Sequence, residues 1–132
     1  MAFFHMPPAE FKEAYEKMKL GDHTVIYEHG SIGEKDEYFG ISNRPPHFFE
    51  KAVDNGWLKW IFCGHDHLNT LSLTYKGIRM TYGMSIDYLG YSGIAKQYIQ
   101  RGATLITRKT NGNMDITMVP LTTVVSTRVR GA

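Results

Sequence analysis

The sequence predicts a mixed α/β fold in which antiparallel hairpins extend a sheet. Three observations lead there. An apolar run, LKWIFC at 58–63, follows a helical stretch and stops at Gly64. Residues 9–20, AEFKEAYEKMKL, repeat apolar side chains at helical spacing. Two pairs of β-prone segments, 70–75 with 78–82 and 103–109 with 114–119, are each joined by a short glycine-bearing turn.

In chain order, Ala2, Phe3 and Phe4 read as the end of a buried strand. A domain seldom begins at the tip of a core strand. The 132 residues are therefore read as the C-terminal part of something larger, with 1–126 belonging to a domain and 127–132 a tail. Phe11, Ala14, Tyr15 and Met18 fall at i, i+3, i+4 and i+7 and define one face of a helix. Pro7-Pro8 suits its start and Gly21 its exit. Residues 21–46, rich in glycine, charge and proline, read as one long irregular loop of the kind that is often functional. HFFEKAVDNG, 47–56, is a short helix closed by Asn55-Gly56. The mostly apolar 58–63 is a strand expected to be buried on both faces. Lys76-Gly77 gives a two-residue hairpin, and Asn111-Gly112-Asn113 turns a second one. Between the hairpins, GMSIDYLGYSG at 83–93 is a loop of glycines and tyrosines.

Composition narrows the function. A net charge of +2 with interspersed signs gives no basic stripe, and Arg128 and Arg130 lie in the tail. Neither nucleic acid nor an anionic membrane is expected as a partner. No run of about 18 apolar residues is present. The opening MAFFHMPP lacks the basic and long apolar regions of a secretory signal. A single cysteine, Cys63, excludes an internal disulfide framework and reads as a small buried hydrophobe.

The chemistry centres on Gly64-His65-Asp66-His67, directly after the apolar strand. Residues i and i+2 on an extended backbone point the same way, so His65 and His67 read as two imidazoles offered to metal. His5 also follows an apolar strand end, before a proline-fixed turn. Two strand C-termini carrying histidines would meet at one edge of a sheet, where open α/β folds place their ligands. His23, His29 and His47 read as solvated or capping residues in the loop or at a helix start.

AFFHMPPAEF, with IFCGHDHLN some distance further on, resembles the C-terminal half of the calcineurin-like metallophosphoesterases, most closely the purple-acid-phosphatase-like branch. In that family a lone histidine after a strand, often with x-Pro behind it, is one metal ligand, and G-H-x-H after the next strand supplies two more. Gly33-Glu34 and Ser42 loosely match the family's intervening loop. Tyr82-Gly83, Tyr88, Gly90 and Tyr91 resemble its downstream loop, with Ile86-Asp87 where Thr-Gly is expected. The likeness runs over roughly residues 2–120. It implies half of a layered α-β-β-α sandwich. It also implies that His5 and His65 bind one metal and His67 another, with Asp66 no ligand and Asn69 a turn or supporting residue. The same likeness implies two ions of the iron, manganese or zinc type and a phosphoester substrate. The family's upstream D-x-H, G-D-x-x-x and G-N-H motifs, which supply the bridging carboxylate and the remaining ligands, are not matched in residues 1–64, which contain no Asn-His pair. Gly21-Asp22-His23 only echoes them. The chain alone is therefore expected to be inactive. The competing reading is a non-catalytic metal- or partner-binding module.

Overall fold

A computed structural model describes residues 1–42, 47–97 and 99–121. The tail at 127–132 lies outside the described residues. The elements in order are β1 (Ala2–Phe4), α1 (Ala9–Lys19), β2 (Val25–His29), α2 (His47–Asn55), β3 (Trp60–Cys63), β4 (Ser72–Tyr75), β5 (Ile78–Tyr82), β6 (Gly102–Arg108) and β7 (Met114–Pro120). Single 3₁₀ turns sit at Lys35–Glu37 and Ile94–Lys96. Contacts divide the chain into two compact units, one ending at Gly83 and one beginning at Met84.

In the first unit a five-stranded sheet runs β1-β3-β5-β4-β2. β1, β3 and β5 are parallel, and β4 and β2 join antiparallel, so the sheet is mixed. Lys76 and Gly77 both have positive φ, as the tight β4–β5 turn requires. Phe11 and Ala14 of α1 and Phe49 and Ala52 of α2 join Ile61, Leu73, Met80 and Tyr82 in one apolar cluster. β3 is an interior strand, flanked by β1 and β5, and is almost wholly buried. β1 is paired on one side only, and Phe3 is left 64% exposed rather than buried as its sequence suggests.

α1 ends as its glycine foretells. Gly21 takes φ +80°, its N–H binds the Met18 carbonyl, and Asp22 N–H reaches back to Lys17, which closes the last turn. Asp22 then accepts from both the backbone N–H and the hydroxyl of Thr24. Those bonds hold its carboxyl below the usual range. Gly21-Asp22-His23 is thus a helix exit and a turn.

Two expectations need correction. Residues 21–46 are not one irregular loop, because Val25–His29 forms the edge strand β2. Only Val25 of that strand is buried, so ladder pairing with β4 creates it rather than side-chain burial. And only the first hairpin extends the sheet. β6 and β7 form a two-stranded sheet of their own, with Gly102 and Pro120 paired at its open end.

Candidate metal centre

The register of two parallel strands builds the site. Phe4 pairs with Cys63, so the next residues leave β1 and β3 side by side. Gly64 N–H donates to the His5 carbonyl at 3.0 Å, which carries the pairing one step past the strand ends. The side chains then meet. His65 Nδ1 lies 3.1 Å from His5 Nε2, with the rings 5.0 Å apart at 80°. That spacing suits an N–H···N hydrogen bond. It also falls within the about 2.9–3.4 Å expected of neighbouring nitrogens on one ion with bonds near 2.0–2.1 Å.

The backbone at the motif differs from expectation. His65 has φ +70°, and Asp66 N–H donates to the Gly64 carbonyl at 2.9 Å. This is a three-residue turn centred on a histidine in the left-handed region, a strained arrangement. The chain therefore does not run extended through His65, and alternation does not carry His65 and His67 to one face. His67 is half-buried. Among the described residues no group of three or more His, Cys, Asp or Glu side chains is placed to hold a metal ion. The histidine pair fits part of a site; the described residues do not fit a whole one.

What surrounds the pair is a set of buried acceptors. Asp66 is 5% exposed. Its carboxylate accepts Gly40 N–H on both oxygens, at 3.1 and 2.9 Å, and the Tyr82 hydroxyl at 2.5 Å. Burial, then that carboxylate, drives the Tyr82 phenol far above its ordinary value, so it stays a donor. Asn69 is fully buried. Its Oδ1 accepts Gly33 N–H and Glu34 N–H, and its Nδ2 donates to the Tyr38 carbonyl. Glu34 reciprocates, accepting Leu68 N–H at 3.1 Å. The loop at 31–40 is thereby bolted to the histidine loop. Asn69 is a supporting residue, one of the two roles the sequence left open. The clamping by Asp66 and Glu34 was not foreseen.

Two curated plant proteins resemble this chain. Over 91 residues, 69% of the chain, it is 28% identical to a probable inactive purple acid phosphatase 29 of Arabidopsis thaliana, of which it covers 21%. Over 47 residues, 36% of the chain, it is 38% identical to a probable inactive purple acid phosphatase 14 of the same plant, covering 12%. The chain is weakly homologous to purple-acid-phosphatase-like proteins. It spans about a fifth or less of the curated relatives it matches. No protein-family model matches it, and no solved structure does.

The other candidates fall away from this edge. His23 and His47 are exposed, the latter at the first turn of α2. His29 ends β2. Its Nδ1 accepts from Arg79 at 3.2 Å, and its Nε2 is buried with no hydrogen-bond partner among the described residues. Burial and the Arg79 charge, which Glu28 partly offsets, lower its pKa. Cys63 is buried, its Sγ facing the Thr81 carbonyl at 3.6 Å, and burial pushes its thiol well up. It is an inert hydrophobe, as expected. A pocket between α1, α2 and the Lys76 turn is lined by Glu10, Glu13, Glu50 and Asp54 and contains no histidine. Burial raises the Glu10 carboxyl there.

Proposed function

We propose that this chain is part of a purple-acid-phosphatase-like phosphoesterase, to which His5, His65 and His67 contribute imidazole ligands. The observation that carries the proposal is the convergence of His5 and His65 at the C-terminal ends of two neighbouring parallel strands. The weak homology to purple-acid-phosphatase-like proteins supports the same reading. In it, the bridging carboxylate and remaining ligands come from polypeptide outside these 132 residues. Two ions of the iron, manganese or zinc type would supply a hydroxide nucleophile and neutralise phosphoryl charge. This chain's own part is to hold two imidazoles at a fixed spacing and to exclude other backbone conformations from the motif. A phosphoester is the substrate class. A second reading, a non-catalytic metal- or partner-binding module, draws on the relatives' names, both of which include "inactive".

Calorimetric titration of the chain with Zn²⁺ or Mn²⁺ tests the ligand assignment. We expect weak binding that His5→Ala and His65→Ala each abolish; identical binding in both variants rejects it. Turnover of a phenyl phosphate by the chain alone should stay at background. Catalysis should emerge only when the chain is joined to the segment bearing the bridging carboxylate. If the joined protein binds metal but hydrolyses no phosphoester, the non-catalytic reading is correct.

A further inference from the structure

We propose that Gly40, Asp66 and Tyr82 are positioning residues that hold the His65 imidazole aimed at His5. The inference rests on reading His5 and His65 as a ligand pair. It goes beyond that reading by naming what sets the geometry.

The strain at His65 needs a cause. A side-chain-bearing residue with φ near +70° costs on the order of 1–3 kcal/mol and persists only when its surroundings enforce it. Gly64 is next door and would accept such a φ freely, yet the turn is centred on the histidine. The enforcement comes from the next residue. Asp66 is pulled inward by Gly40 N–H and the Tyr82 hydroxyl, three contacts on one buried carboxylate. Tyr82 does not yield, because it ends β5 and its ring stacks on Phe11 at 4.9 Å. With Asp66 drawn in and Gly64 tied to His5, the chain between them has one residue in which to reverse, and that residue is His65.

Gly40 does a second thing. A Cβ added there would stand 2.0 Å from His65 Cδ2 and 2.6 Å from His65 Nε2. The bare Cα of Gly40 therefore lies against the Cδ2–Nε2 edge of the ring, which leaves the Nδ1 edge facing His5. One glycine both donates to Asp66 and chooses which imidazole nitrogen is presented. Its φ is not in the left-handed region. Close approach, rather than backbone freedom, is the reason for glycine at this position.

The test uses the 132-residue chain with ¹⁵N-labelled histidine. Imidazole nitrogen signals are tracked with and without Zn²⁺, beside a thermal melt. Gly40→Ala should shift the His65 ring signals in the metal-free protein and weaken zinc affinity about 10–100-fold, the usual effect of losing a ligand's support. Tyr82→Phe removes one hydroxyl from an otherwise intact core. It should shift the same signals less and weaken zinc several-fold, which covers the case in which Gly40→Ala fails to fold. Unmoved His65 signals and unchanged zinc affinity in a folded variant overturn the proposal. If wild-type protein binds no zinc, the ligand-pair reading fails. The metal-free ring signals then decide the positioning role by themselves.

Discussion

Each of the two units contains an irregular loop tied down by a buried polar hub, and the hubs have opposite chemistry. In the first, Asp66 and Asn69 work chiefly as acceptors and collect backbone N–H groups from Gly33, Glu34 and Gly40. In the second, Arg101 is 1% exposed and works as a donor. Its guanidinium reaches the carbonyls of Asp87, Ile99 and Ile94 and lies 5.0 Å over the Tyr88 ring. A loop that curls with its amides inward needs an acceptor at its centre, and one that curls with its carbonyls inward needs a cation. The comparison teaches that the cost of losing a hub should rise with the number of backbone groups it holds, with the packing of its own buried side chain added.

That rule can be broken in order of expected effect. Arg101→Ala should be the most damaging change, about 3 kcal/mol or more, since three carbonyls lose their donor and a buried stem its packing. Hydrogen exchange should show amides of 85–97 losing protection while those of β3 and β5 keep theirs; equal loss in both units would refute the local role of the hub. Asn69→Ala should cost about 2–3 kcal/mol in urea unfolding, with two N–H groups and one carbonyl orphaned. Tyr82→Phe removes one bond to a carboxylate and should cost about 1.5 kcal/mol. If it costs more than Asn69→Ala, counting held groups is the wrong measure.

The smaller effects sharpen the contrast from outside the hubs. His29 has a folded-state pKa below its ordinary value, so the unfolded chain binds its proton more readily. Its contribution to stability is present above the ordinary histidine pKa and is lost as pH falls through the lower folded value. A plot of stability against pH should decline on acidification below about 6.5, and His29→Gln should flatten it. A slope unaltered by His29→Gln would place the proton uptake elsewhere. His5→Ala comes last. His5 is exposed, so the substitution should change stability by under about 0.5 kcal/mol while removing half of the imidazole pair.

Much of the fold was legible, and the parts that were missed have physical reasons. α1, α2, β3 and both hairpins announce themselves through periodicity and turn glycines, which are local signals. β2 does not, because Ile26, Tyr27 and Glu28 are exposed and the strand exists through its pairing with β4. The convergence of His5 and His65 was legible because two strands in parallel register release their next residues at one place. The turn at His65 was not, since its neighbour Asp66 imposes it only through Gly40 and Tyr82, which lie far from it in sequence. Arg101 gave no sequence signal either: one arginine looks like any other until three carbonyls surround it.

The pairing of β1 with β3 also has a consequence in time. His5 and His65 are 60 positions apart, and β1 joins the sheet at its edge through β3. Closing so long a loop is an entropic barrier that local helices and hairpins do not face, and it is met before the contacts it permits can compensate. The β4–β5 hairpin and α1 can form within their own neighbourhoods, whereas β1 has to wait for β3, which lies far along the chain. The imidazole pair should therefore appear in the final phase of folding, after the helical signal is complete. A spectroscopic probe on His5 would report arrival at the native state rather than collapse.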